Sequence, residues 1–107
     1  MQLEWKKRGG TLYVEPAGEL DQHSADDLRR RLNALIEDGS VTRVVYNMNK
    51  VCCMDSSGIG VLLGRYALLS ARGGSMDVVN ASRSMERILR MAGVYKLCTK
   101  EEDRNEE

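Results

Sequence analysis

Cys53-Met54-Asp55-Ser56-Ser57-Gly58-Ile59-Gly60-Val61-Leu62-Leu63-Gly64-Arg65-Tyr66 sets an acidic residue and two hydroxyls where an extended segment gives way to a helix. Upstream, Arg43-Val44-Val45-Tyr46-Asn47-Met48 is rich in β-branched and aromatic residues and reads as a strand. Downstream, Ile59, Leu62, Leu63, Tyr66 and Leu69 recur at helical spacing. A helix opening at Ser56 or Ser57 presents four unpaired N–H groups and a partial positive charge, which favour an anion. Asp and Ser are also preferred N-caps, so capping alone accounts for Asp55-Ser56-Ser57 as well. A phosphate on either hydroxyl would sit at a helix N-terminus.

Working outward, Leu3 and Trp5 alternate with polar residues, Gly9-Gly10 turns the chain, and Leu12 and Val14 alternate again, which predicts an antiparallel hairpin with a strand end at Pro16. Ser24 is the predicted cap of a helix carrying Leu28, Leu32, Leu35 and Ile36 and ending at Gly39. The central helix runs from about Ser57 to Arg72 and stops at Gly73-Gly74, before a short strand Met76-Asp77-Val78-Val79. Ser82 caps a third helix with Met85, Ile88, Leu89 and Ala92 on one face and Gly93 at C′, and Val94 to Cys98 reads as a last strand. Strands alternating with helices after a hairpin predict an α/β fold: a mixed, mostly parallel sheet with an antiparallel edge, covered by helices.

The 107 residues suffice for one domain with one core. Residues 1–99 are expected to form it. Residues 100–107, Lys-Glu-Glu-Asp-Arg-Asn-Glu-Glu, hold five acidic and two basic residues and no apolar anchor, and are expected to be a disordered tail of net charge −3 on a body of +3. Sixteen basic and sixteen acidic residues cancel, so no global field attracts nucleic acid or an anionic membrane. No apolar run reaches membrane-spanning length and no signal-peptide core follows Met1, which points to a cytoplasmic protein with protein partners. Cys52, Cys53 and Cys98 with a lone His23 make no zinc set, so no metal or cofactor is expected and the thiols read as reduced and mostly buried. With Phe absent, six Met help to fill the core.

Catalytic readings fit poorly. Gly58, Gly60 and Gly64 give G-x-G-x-x-x-G, not the dinucleotide spacing, and Arg65-Tyr66 stand where a P-loop needs Lys and Ser or Thr. Small residues at Gly58 and Gly60 instead suit close approach of a partner or of the sheet. Ser56 lies outside a nucleophile elbow, and His23 reads as an exposed loop or capping residue. Arg29-Arg30-Arg31 fan through about 200° of a helix and read as a solvated face.

The run Met54 to Tyr66 resembles the signature of anti-sigma-factor antagonists of the STAS-domain family, closest to the branch controlling the forespore sigma factor of spore-forming bacteria. Gly18-Glu19-Leu20-Asp21, Gly73-Gly74 and Ala92-Gly93 match in order, so the resemblance spans roughly residues 10–99. It implies a STAS fold and a non-enzyme, monomeric when free, whose partners are an anti-sigma factor serine kinase and a serine phosphatase. By position, Ser56 would be the phosphorylated residue: the unphosphorylated form binds the kinase and frees the sigma factor, and phosphorylation blocks binding. Asp21, Asp55, Ser57, Gly58, Gly60 and Arg65 are then candidate partner-binding residues, with Ser57 keeping the structural cap. A general-stress antagonist, or a STAS scaffold that is never phosphorylated, is the alternative. Ala67 stands where relatives commonly have Lys after the tyrosine, and their further C-terminal helix looks reduced.

Overall fold

In the computed structural model, which describes residues 1–99, the N-terminal hairpin forms around Gly9-Gly10. Strand β1 (Gln2–Arg8) pairs antiparallel with β2 (Thr11–Leu20), from Arg8 opposite Thr11 to Gln2 opposite Ala17. Gly9 takes φ +60°, which a two-residue hairpin turn requires and glycine supplies without strain. Residues 100–107, expected to be a charged tail, lie outside the described residues.

Strand β2 is long enough to hold two parallel partners in succession. β3 (Arg43–Asn47) pairs along Thr11–Val14, and β4 (Val51–Met54) pairs along Gly18–Leu20 across a bulge at Gly18/Glu19. Beyond β3 lies β5 (Ser75–Val79), also parallel, so the sheet order is β1-β2-β3-β5 with β4 on β2. Pro16 therefore does not end a strand. It falls between the residues of β2 paired with β3 and those paired with β4, where a missing N–H interrupts no ladder on that side.

Three helices of two or more turns follow the strands: α1 (Gln22–Ile36), α2 (Ser56–Ala71) and α3 (Arg83–Met91). Leu28, Leu32 and Ile36 of α1 and Ile59, Leu62 and Leu69 of α2 join Leu12, Val44 and Val78 of the sheet in one continuous core. Met48, Met54, Met76 and Met85 fill it where Phe is absent, while Met91 is 82% exposed. Gly73-Gly74 has two separate causes. Gly73 takes φ +75°, and a Cβ on Gly74 would run into the carbonyl oxygen of Thr42, to which the next residue, Ser75, donates at 2.8 Å.

Four expectations need correction. Helix α1 is capped by Asp21, not Ser24: Asp21 Oδ1 accepts from the N–H groups of His23 and Ser24, and the Ser24 hydroxyl accepts in return from the Asp21 N–H, a capping box. Val94–Leu97 is a single helical turn, α4, since Gly93 at φ +79° turns the chain and Val94 and Tyr95 are buried side by side; only Cys98 bridges to Met76. Ala92 is exposed, one position past the last residue of α3. Cys52 and Cys53 are also exposed, and only Cys98 is buried. In β4 the inward residues Val51 and Met54 are separated by two positions instead of one, and this lapse of alternation adjoins the bulge in β2.

Candidate functional site

The site arises because two strand-to-helix junctions of the same design stand side by side. Leu20 and Met54, the last residues of β2 and β4, are paired in register, and the Asp55 N–H donates to Leu20 O at 3.2 Å. The residue after each strand is an aspartate that caps the following helix, Asp21 on α1 and Asp55 on α2. Both caps are extended, with φ and ψ of −122° and −171° for Asp21 and −118° and −170° for Asp55. Neighbouring strands run about 4.8 Å apart, so two helix N-termini and two carboxylates converge on one end of the sheet.

Asp55 Oδ1 accepts from the Ser57 N–H at 2.8 Å, and its carbonyl takes the N–H groups of Gly58 and Ile59. The cap of α2 is therefore Asp55, and Ser57 contributes its backbone, not its hydroxyl, which corrects the role expected of Ser57. Ser56 is the first helical residue, and its side chain is exposed. At Asp21, hydrogen bonding from Ser24 above all, opposed by desolvation and aided by His23, holds the carboxyl below its ordinary value of 3.8. His23 is exposed and joins the cap through its backbone. Arg29, Arg30 and Arg31 pair with Asp26 and Asp27 of their own helix, as a solvated face should.

The two small residues play different parts. Gly58 is buried, and a Cβ there would stand 2.7 Å from Met54 Cγ and 2.8 Å from Leu20 Cγ, so its smallness lets α2 start directly on the strand ends. Gly60 is exposed, and a Cβ would meet nothing within 4 Å. Close approach of the sheet thus explains Gly58 and leaves Gly60 unexplained by the fold. Arg65 is not brought to the serines. Nine residues along α2 from Ser56 it lies about 13 Å up the axis and on the opposite side of the helix. There burial above all lowers its pKa, with Arg29 acting in the same sense and Tyr46 against it. Arg65 Nε and Nη1 and the Tyr46 hydroxyl are buried without hydrogen-bond partners among the described residues.

Sequence reasoning missed a surface. Ser56, Gly60, Leu63, Gly64 and Ala67 follow one another on one side of α2, and Leu68 beside them is 44% exposed. Arg65 is the only charged residue in the helix. A helix apolar on its inner side and uncharged on its outer side lacks the polar face that an amphipathic surface helix normally turns to water. The absence of Asp, Glu and Lys from Ser56 to Ala71 was the signal in the sequence.

Comparison with known proteins agrees with this fold. The family model of the STAS domain matches residues 2–106. The chain is 36% identical to an anti-sigma F factor antagonist of Paenibacillus polymyxa over 91% of its own length and 83% of the relative's. Among solved structures, the anti-sigma factor antagonist SpoIIAA in its unphosphorylated form superposes with a TM-score of 0.73 at 30% identity, covering 83% of this chain and 82% of that one. The Bacillus cell fate determinant SpoIIAA in the phosphorylated form gives the same TM-score at 28% identity and 98% coverage of both chains.

Proposed function

This chain belongs to the STAS-domain family, and on that premise we propose that it is a cytoplasmic anti-sigma-factor antagonist of the sporulation type, switched by phosphorylation of Ser56. The observation that carries the reading is an exposed serine at the first position of α2, between two capped helix N-termini and continuous with an uncharged helical surface. Residues 1–99 are the functional unit. Unphosphorylated, they bind an anti-sigma factor serine kinase through the Ser56 end, where Asp21, Asp55, Ser57, Gly58 and Gly60 gather, and along the outer side of α2. Arg65, on the opposite side of that helix from Ser56 and with Nε and Nη1 buried, offers an acid of the partner only its remaining exposed edge. The bound kinase releases its sigma factor, and a serine phosphatase returns the phosphorylated form to use. The domain is a substrate and a ligand and needs no catalytic group of its own.

Phosphorylation adds about −1.5 to −2 charges beside the Asp55 and Asp21 carboxylates. The two helix ends accommodate that anion locally, so the fold need not change. Toward an acidic partner surface the same charge is repulsive, and like-charge juxtaposition costs several kcal/mol. Full reversal of a 1:99 equilibrium takes about 5.5 kcal/mol, so one phosphate supplies much of the switch.

The test is incubation of the chain with its anti-sigma factor kinase and ATP, followed by phosphopeptide mapping and a binding assay on each form. Phosphate is expected on Ser56, Ser56→Ala is expected to take up none while still binding the kinase, and the phosphorylated chain is expected not to bind. Phosphate on Ser57 in the Ser56→Ala chain at full stoichiometry, or equal binding of both forms, refutes the reading.

A further inference from the structure

Strand β1 stands at one end of the sheet order β1-β2-β3-β5, and among the described residues no strand pairs along its outer side. The hairpin decides which main-chain groups it leaves free. Its turn, Gly9-Gly10, holds two residues, so the flanking pair Arg8–Thr11 exchanges both N–H···O bonds, and hydrogen-bonded pairs recur at Lys6–Tyr13, Glu4–Glu15 and Gln2–Ala17. The N–H and C=O groups of Leu3, Trp5 and Lys7 therefore point away from β2, to the free edge. The side chains of these three share the helix-covered side of the sheet, because Trp5 lies opposite the buried Val14 and Lys7 opposite the buried Leu12. Trp5 is nevertheless 50% exposed, an indole left uncovered at the margin of the core. Gln2, Glu4, Lys6 and Arg8 project from the open side and are all exposed.

We propose that this edge pairs with the same edge of a second copy of the chain, antiparallel about a two-fold axis at Trp5, and joins two sheets into one. Exposed edges are normally guarded by charge, and Lys6, Lys7 and Arg8 repel most partners, but β1 carries its own complement. With Trp5 opposite the partner's Trp5, Glu4 faces the partner's Lys6, Lys6 the partner's Glu4, Leu3 the partner's Lys7 and Gln2 the partner's Arg8. Every residue of the strand is then paired, no like charges stand opposite, and the outward groups of Leu3, Trp5 and Lys7 make about six main-chain hydrogen bonds. Lys50 Nζ approaches Glu4 Oε1 at 3.6 Å and Glu15 at 3.5 Å, which leaves Glu4 Oε2 to the partner. The other registers fail. A shift of one residue sets outward main-chain groups against inward ones. An axis at Glu4 or Lys6 opposes that residue to itself, and an axis at Lys7 opposes Lys6 to the partner's Arg8. An axis at Leu3 needs Met1 as the partner of Trp5, and the Met1 carbonyl already accepts from Arg31 Nη1 at 2.8 Å. Antiparallel pairing sets the two Ser56 ends at opposite ends of the joined sheet, so the inference stands independently of the proposed function, and it departs from the free monomer that the family resemblance implies.

Sedimentation equilibrium of the full chain is the test. Pairing through one strand buries less than the roughly 1,200 Å² of a standard interface, so the dimer is transient. The average mass is expected to rise from the 12.0 kDa of one chain toward twice that value, over concentrations of about 10 μM to 1 mM. Emission of Trp5, the one tryptophan in the sequence, is expected to shift to the blue over the same range. Amide hydrogen exchange read by NMR is expected to slow with concentration at Leu3, Trp5 and Lys7 and to stay unchanged at Glu4 and Lys6, which already bond to β2. Lys6→Glu opposes like charges across the axis and should weaken association at least about tenfold, and the double change Glu4→Lys with Lys6→Glu should recover it. Both side chains are exposed, so the dilute variants should melt with the parent, and exchange in the parent decides the matter if they do not. A constant mass of one chain up to 1 mM, association that survives Lys6→Glu or stays lost in a folded double variant, or protection that misses Leu3, Trp5 and Lys7 overturns the inference.

Discussion

Replacing Gly58 by Ala puts a methyl group where α2 meets the two strand ends. That Cβ would lie 2.7 Å from Met54 Cγ, 2.8 Å from Leu20 Cγ and 3.0 Å from Leu20 Cδ2. Carbon atoms rest about 3.5–4.0 Å apart, so each neighbour must retreat by roughly 1 Å. Cγ is not the free end of either side chain, and both residues are buried, so the retreat has to come from the packing itself. Overpacking of this kind costs about 1–3 kcal/mol, and the gain in helix propensity from Gly to Ala returns up to about 1, leaving a net loss of about 1–2 kcal/mol. At about 4–8 °C per kcal/mol for a domain near this size, melting should fall by roughly 5–15 °C. Gly60→Ala is the internal control: with open space around it, the same propensity gain should raise stability by about 0.5–1 kcal/mol. Urea unfolding of both variants, read at constant m-value, is the assay. A Gly58→Ala chain as stable as the parent would refute the claim that smallness at this position sets the helix on the strand ends.

Asp55→Ala should cost about 1 kcal/mol in denaturant stability through loss of the α2 cap, while Ser57→Ala should cost less than about 0.5, because only the Ser57 backbone is used. Asp21 titrates below its ordinary 3.8 in the folded chain, so its contribution is complete above that pH and is lost as pH falls below it toward the lower native value. Asp21→Asn, which caps without titrating, should therefore flatten the fall in denaturant midpoint below about pH 4. Arg43 contacts the fully buried Asp77 at 2.5 and 3.2 Å, with the Thr99 hydroxyl donating to the same oxygen at 2.7 Å. Arg43→Ala should cost about 3 kcal/mol in chemical unfolding, and the double change with Asp77→Asn should cost less than Arg43→Ala alone.

Local chemistry determined much of this protein from its sequence. The hairpin around Gly9-Gly10, the alternation of Leu12 and Val14, the helical spacing of Ile59, Leu62 and Leu69, and Gly93 at a helix end are each settled within a few residues, by turn geometry or by the period of one element. The Asp-Ser-Ser junction was legible for the same reason. The tertiary structure decided what depends on two distant segments meeting. Pro16 could remain inside a strand only because β2 changes parallel partners there, and the short strand Val51–Met54 exists only by pairing with Gly18–Leu20. Val94–Leu97 became a helical turn because burial of Val94 and Tyr95 outweighed their strand propensity. Asp21 and Asp55, thirty-four positions apart, became one site because the residues before them are partners in a sheet, and no periodicity within either segment carries that register.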